Sequence, residues 1–407
     1  MAKKFALVGM VAFAALSGDT FAQKTTSLNG SNINTITTAV PFLRITPDCR
    51  SGGMGDAGIA ISADANSQYW NVGKIPFAPK KSGISVSYTP WLKDIVPDIA
   101  LSYLSWYSKF GENNNQAISG SLRYFSLGDI QYTNIDAQPT GTGKPREYSL
   151  DLGYSRKLSD NLSTGVSLRY IHSAIATGLS GGQASDYKPG NAFSSDLGIY
   201  YTKNYGDDPN TNSNFSFGAV ISNLGSKISY SSIRKDFIPA NLGIGAAYTK
   251  GIDEYNKITF ALDFNKLLVP TPQVLTDSAG NVTGYIIPNK SVVSGVFSSF
   301  GDAPGCMKEE LKEVQISAGA EYWYQNQFAI RGGYFYEDKT KGDRKYATFG
   351  IGVKLNVLTL NGSYLIASGS GVNRNPLANT FRFTLTFDFD KFEQLSSTTQ
   401  DENKASE

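Results

Sequence analysis

Few residues in this 407-residue chain belong to types that do covalent or metal chemistry. There is one histidine, His172, and there are two cysteines, Cys49 and Cys306. A nucleophile–base arrangement would need a serine or cysteine within reach of that imidazole. Ser173 is adjacent in sequence, but neighbouring residues of a strand point to opposite faces. The one G-x-S-x-G string, Gly178-Leu179-Ser180-Gly181-Gly182, sits in the polar, glycine-rich connection at 173–193 and not at the strand-to-helix turn that makes a nucleophile elbow. Cys49, Cys306 and His172 lack the spacing of a zinc site. The residues argue against catalysis and suggest no metal or cofactor. A Cys49–Cys306 disulfide is chemically open in an exported chain, but sequence alone cannot establish that the two are close.

Asp56 and Asp64 are the remaining pair of interest. They lie in Pro47–Ile75, PDCRSGGMGDAGIAISADANSQYWNVGKI, beside Gly52, Gly53, Met54 and Gly55. Two carboxylates could hold a cation, although in so turn-rich a stretch accepting backbone N–H bonds is the stronger expectation. Glycines permit positive φ and close backbone approach, which suits a plug folded inside a tight enclosure. Arg50 and Asn71 are expected to tie such a plug to its wall. Taken alone, the stretch reads more readily as surface turns of a soluble domain. Its surroundings reverse that reading.

The chain is 41% hydrophobic but only 18% charged, with 23 Tyr, 23 Phe, 41 Gly and a formal charge of +2. Near-neutrality gives no support for nucleic acid as a partner. Charge-poor, aromatic- and glycine-rich composition fits an outer-membrane barrel, whose strands are apolar on one face only. Lys3 and Lys4, the apolar run Phe5–Leu16 and Thr20-Phe21-Ala22 read as a secretory signal over 1–22. No later segment offers about 18 consecutive apolar residues, which makes a helical membrane protein improbable.

From about residue 83 a two-residue rhythm takes over. Phe381, Phe383, Leu385, Phe387 and Phe389 alternate with Arg382, Thr384, Thr386, Asp388 and Asp390. Ile258–Phe264 and Leu162–Tyr170 alternate in the same way, and period two over this length means strand. Fourteen strands are expected, near 83–91, 98–109, 116–126, 146–157, 161–172, 194–203, 213–223, 240–250, 256–266, 314–324, 327–337, 345–355, 357–367 and 379–390. An even number of strands of about 9–11 residues fits a closed transmembrane barrel, and closure leaves no backbone group unpaired in lipid. Connections after even-numbered strands are short except 204–212. Those at 127–145, 173–193, 224–239, 267–313 and 368–378 are long, while 92–97 and 338–344 are intermediate. Short periplasmic turns and long external loops would put both termini in the periplasm.

Inward faces then carry Arg123, Asp151, Arg169, Asp196, Asp263, Glu321, Arg331, Lys354, Arg382 and Asp388, expected to pair within the lumen. A basic residue facing lipid at midplane costs about 2–4 kcal/mol. Apolar residues in otherwise polar loops mark candidate partner contacts: Tyr187, Phe193, Ile233, Phe237, Leu267 and Leu268. The competing expectation is that loops fold back on these side chains. Val292–Phe300 and Met307–Lys312 could form short helices, with Lys308, Glu309, Glu310 and Lys312 as a solvated face. The expected organisation is a signal at 1–22, a periplasmic arm and luminal plug at 23–82, a barrel at 83–390 and a polar periplasmic tail at 391–407.

A plug followed by 14 strands resembles the FadL superfamily, and local motifs narrow the resemblance. Asn34–Ile45 (NTITTAVPFLRI), Arg50–Gly58 (RSGGMGDAG), Asp64–Ser67, Tyr69-Trp70-Asn71 and Lys74 resemble the opening of the PorV family. So do Phe297–Phe300, Asp302–Gly305, Glu309–Glu313, Gly319–Tyr324 and Pro376–Phe383. Cys49, Cys306 and Val72 depart from it. The resemblance implies an outer-membrane component of the type IX secretion system of Bacteroidota. Such a protein binds C-terminal signal domains of cargo at the SprA or Sov translocon and delivers them to the PorU-containing attachment complex. PorQ relatives share the fold. A FadL-like channel for hydrophobic small molecules is the alternative, and it would need an apolar pocket under the loops and a gap or kink in the wall. A structural partner closing a side opening in SprA is a third possibility.

Overall fold

Alternating side chains give each strand one face for lipid and one for the lumen. In the computed structural model these strands close into a single antiparallel barrel. The structure describes residues 34–91, 98–133, 136, 138–175, 187–206, 208, 211–232, 234–276, 278, 282–367 and 379–390. The expected signal at 1–22, the arm up to residue 33, Ile233 and the tail at 391–407 lie outside them.

The barrel strands are β1 (Ser82–Pro90), β2 (Ile99–Phe110), β3 (Gln116–Leu127), β4 (Arg146–Lys157), β5 (Leu162–Ala174), β6 (Gly190–Tyr205) and β7 (Ser213–Gly225). They continue with β8 (Asn241–Gly251), β9 (Asn256–Leu267), β10 (Gln315–Tyr324), β11 (Phe328–Tyr336), β12 (Lys345–Leu355), β13 (Leu358–Ala367) and β14 (Thr380–Phe389). Each strand pairs with its neighbour in sequence, and β1 closes on β14 with Val86 opposite Leu385. Every connection after an odd-numbered strand is longer than any after an even-numbered one, which gives the barrel a long-loop rim and a short-turn rim. Two small hairpins were not anticipated within the long loops: Ile130–Thr133 with Pro139–Gly143, and Gln273–Thr276 with Val282–Ile286. Among the described residues, no helix is long and apolar enough to cross a membrane.

The predicted alternation is visible in exposure. Phe381 and Phe383 are 52% and 56% exposed, and Arg382 between them is 5% exposed. The apolar core lies inside the cylinder, where the chain segment preceding β1 occupies the lumen. Phe42 and Leu43 pack on Leu101, Phe125 and Ile171 of the wall. Met54, Ala57, Ala60 and Ile61 meet Ala247 and Ala261, while Val72 and Ile75 meet Tyr107 and Ala117.

The path of this segment corrects one expectation. The arm was expected to enter from the same rim as the short turns. Instead Asn34 sits at the long-loop rim, where its N–H donates to Thr340 O (3.1 Å) and its side-chain amide to Pro272 O (2.9 Å). From there the chain descends to Ala78, whose carbonyl accepts from Lys109 Nζ near the short-turn rim. The described part of the segment thus runs from the long-loop rim at Asn34 to the short-turn rim, where β1 starts.

Candidate binding site in and above the lumen

The luminal segment carries two one-turn helices, α1 (Cys49–Gly52) and α2 (Ser67–Trp70). Asp48 caps α1 by accepting from Ser51 N (2.9 Å), and its other oxygen accepts from Trp70 Nε1 (2.7 Å). That carboxylate therefore joins both turns of the plug.

Arg50 carries the strongest tie to the wall. Its guanidinium donates twice to Glu321 of β10 (3.0 and 2.8 Å) and to Asp64 (3.2 Å), Ser62 O and Ser62 Oγ. Arg331 of β11 donates to the same Glu321 oxygen at 2.7 Å. A planar fork on a carboxylate is a strong charge-assisted pair. Asn71 donates to Ile199 O of β6 (3.0 Å) and accepts from Gly73 N. Asp263 of β9 accepts from Gly58 N (2.7 Å) and Ile59 N (2.8 Å).

Close approach of backbones is the second tie. Gly55 (φ +70°) donates its N–H to Thr348 Oγ1 at 2.8 Å. A Cβ placed on Gly333 would lie 2.1 Å from Gly55 N and from Met54 C; one on Gly319 would lie 2.3 Å from Met54 O. A Cβ on Gly53 would stand 3.0 Å from the Cα of Gly350. The carbonyl of Gly52 accepts from Arg382 Nη1 at 3.4 Å. These wall glycines were missed in the sequence. Their signal was glycine on the inward face of a strand, which often marks a backbone approaching closely.

Asp64 accepts from Asn66 N in a turn, as expected. Asp56 does not serve a backbone N–H. Its side chain accepts from Tyr346 OH and lies 3.7 Å from Arg382, with φ at 62°. An aspartate tolerates that left-handed conformation better than most residues, and the fold uses it to aim the carboxylate at the wall. Lys74, fully enclosed, donates to Gly58 O at 2.6 Å. Burial pushes its ammonium down to about 8. Burial also pushes the Cys49 thiol up to about 11. Cys49 is buried and Cys306 exposed, and both are free.

Above the plug, on the long-loop side, lies a cavity of about 1080 Å³. Its walls are mostly apolar, including Phe42, Trp91, Phe125, Leu127, Ile175 and Phe237. Its floor is charged, with Arg44, Asp56, Arg344 and Arg382. Arg44 donates to two neutral groups, Asn241 Oδ1 (2.6 Å) and Gln315 Oε1. Burial, then repulsion from Arg344, lowers its guanidinium to about 10. A polar crevice of about 70 Å³ between plug and wall shares Arg44, Asp56, Arg344 and Tyr346 with this floor; it has room for water but not for an organic ligand.

Some of the inward charges pair as expected, whereas Arg123 donates to Leu43 O at 2.8 Å and lies over the Tyr69 ring. Arg169 bridges Asp151 and Asp196, the latter at 2.8 Å. The single register break among the described barrel pairings falls here, between Ser195 and Leu197 on β6 opposite β7. Asn223 fills it, donating its N–H to Asp196 (2.7 Å) and accepting from Arg169.

Several loop expectations need correction. Phe193 belongs to β6 rather than to a loop, stacks beside Tyr170 and faces outward, because alternation continues back to Gly190. Phe237 and Leu268 are buried, since the loops fold inward over the cavity; Phe237 O accepts from Ala39 N of the arm. Leu267 ends β9 half-buried, and Tyr187 is exposed. Glu309 and Glu310 are not part of a solvated face. They accept from Lys341 (2.7 Å) and Lys266 (2.8 Å), which fastens the long loop to the rim because Glu313 accepts from both lysines. Short helices form at α3 (Val292–Ser298) and α4 (Cys306–Glu310) and leave Val293, Phe297, Met307 and Leu311 largely exposed. His172 faces outward against Tyr148, and Ser173 faces the lumen.

A closed 14-stranded antiparallel barrel with an apolar outside, a polar inside and a chain-filled lumen has the build of an outer-membrane β-barrel. Solved structures similar to it include the Ralstonia pickettii toluene transporter TbuX, at 10% identity and a TM-score of 0.46, covering 84% of this chain and 98% of that one. The Pseudomonas putida toluene transporter TodX follows at 11% identity and 0.49, covering 84% and 98%. A Pseudomonas aeruginosa FadL homologue gives 11% identity and 0.40, covering 88% and 99%. No curated protein matches in sequence. The sequence profile of the type IX secretion system protein PorV matches residues 28–274, and the chain belongs to that family.

Proposed function

We propose that this chain is a carrier of the type IX secretion system that binds the C-terminal signal domains of exported cargo at the SprA/Sov translocon and passes them to the PorU-containing attachment complex. Family membership carries the secretion role. The observation that favours a carrier over a pore is the seat of the luminal segment. Charge pairs to Glu321 and glycine contacts at Gly319, Gly333 and Gly350 occupy the lumen with covalently attached chain. Arg50, Gly52, Gly53, Met54, Gly55, Asp56, Asp64 and Asn71 then hold that plug in place. Cargo is met from the long-loop side, taken as extracellular, with the short turns and the end of β14 periplasmic. Tyr187 and the exposed apolar side chains of α3 and α4 are the available contacts on that side, with the roofed cavity beneath. Binding without chemistry is the activity proposed.

The channel reading is favoured by one observation, the apolar-walled cavity under the loops. It also needs a lateral exit. The wall's one described irregularity, at Ser195/Leu197, is filled by Arg169, Asp196 and Asn223. Affinity purification from native outer membranes separates the two. A carrier brings the translocon and cargo signal domains with it; a channel brings neither and retains a hydrophobic small molecule.

A further inference from the structure

Several inward acids of this barrel are answered. Asp151 and Asp196 face Arg169, Glu321 faces Arg50 and Arg331, Glu337 faces Arg344, and Asp263 takes two backbone N–H groups. Glu147 of β4 differs. It is 3% exposed, it lines the large cavity, and among the described residues it meets hydroxyls and no cation. Ser173, directly across on β5, donates to its Oε1 at 2.6 Å. Tyr230, from the loop after β7, donates to Ser173 Oγ at 2.9 Å. Burial raises the Tyr230 phenol to about 12, so it stays a donor. Ser173 thus donates to the carboxyl group and is itself supported by the Tyr230 hydroxyl.

On its other side, the residue paired with Glu147 is Phe125 of β3, whose ring meets Trp91 edge-on at 5.4 Å. Of the cavity's own cations, Lys235 is exposed to solvent and the others are held elsewhere. Lys227 lies over the Phe237 ring at 4.1 Å, Arg234 binds Asp236, and Arg44, Arg344 and Arg382 belong to the floor. A buried carboxylate without a counter-charge is costly. Beside aromatic faces, its complement is a cation on an apolar body.

We propose that Glu147, with Ser173 and Tyr230, is a recognition point for an alkylammonium group on an apolar stem, carried by a lysine side chain of an entering peptide or by a free amphipathic amine. The site does not depend on the secretion role. The test is calorimetric titration of the full chain in non-ionic micelles at pH 7 with hexylammonium, hexanol and hexanoate. Hexylammonium should bind the native protein at least tenfold more tightly than the other two. Glu147→Gln should bring it to within about twofold of hexanol, with barrel closure checked by heat-dependent gel mobility. Equal binding of hexylammonium and hexanol to the native protein overturns the proposal without any variant, as does an undiminished preference in Glu147→Gln. Blocked tripeptides with lysine or norleucine at the centre distinguish the sources. A Glu147-dependent preference for the lysine peptide identifies a peptide ligand, and the same preference confined to hexylammonium identifies a free amine.

Discussion

Glu321 shows how single residues hold the lumen. It sits between Arg50 of the plug and Arg331 of the wall, and all three are largely buried. Removing one partner of such a set costs about 3–5 kcal/mol, because charge is left uncompensated out of water. Lys74 is the reverse case. Its buried ammonium has no acid at ion-pair distance among the described residues, and burial pushes it down to about 8 from the ordinary lysine value of 10.5. The unfolded chain therefore holds a proton that the folded one has released between about 8 and 10.5, and stability from this group rises with pH across that window. Below 8 both states are protonated and it contributes no slope. Urea unfolding in liposomes from pH 7.5 to 10, compared with Lys74→Met, should show the native chain gaining on the variant above pH 8. The slope should approach about 1.4 kcal/mol per pH unit; a constant difference contradicts the assignment. The sequence pointed to Arg50 as a tie to the wall and to Glu321 and Arg331 as luminal charges that pair, but not to the three as one set. The burial of Lys74 was not legible, since it was one cation among 37 Lys and Arg and burial had no marker.

Elements were far more legible than contacts. All fourteen strands could be read because the outward face must be apolar and the inward face need not be, so each carries its own period-two signature. Loops carry no such period. Phe237 and Leu268, read as partner contacts, turned inward because an open cavity offered more burial than solvent did. The arm's direction was equally hidden, since an arm has no facial pattern to show which rim it leaves. Between these extremes lies β11, whose two adjacent glycines have opposite jobs. A Cβ on Gly333 collides with the plug backbone, whereas one on Gly332 has its nearest neighbour at 4.0 Å. Gly333→Ala should lower the melting temperature and expose the luminal segment to protease, by an amount typical of core overpacking, about 1–3 kcal/mol. Gly332→Ala should change neither. Equal behaviour of the two variants would show that the plug is not seated on this wall.

At the scale of the whole molecule, the cylinder has one rim of short turns and one of long loops, and the carrier reading requires the long loops outside. The chain carries its own reporters: Cys306 is exposed on the loop between β9 and β10, and Cys49 is buried in the lumen. A membrane-impermeant maleimide added to intact cells should label Cys306 and leave Cys49 unmodified. Protection of Cys306 until the outer membrane is broken would invert the orientation.

Cargo fate in a strain lacking this chain tests the account most directly. Surface and periplasmic fractions compared by quantitative proteomics should show proteins with C-terminal signal domains held in the periplasm or released unattached. Restoring the full-length gene should return them to the surface. Normal export and anchoring in the deletion strain would contradict the carrier role and leave the chain a plugged barrel of another purpose.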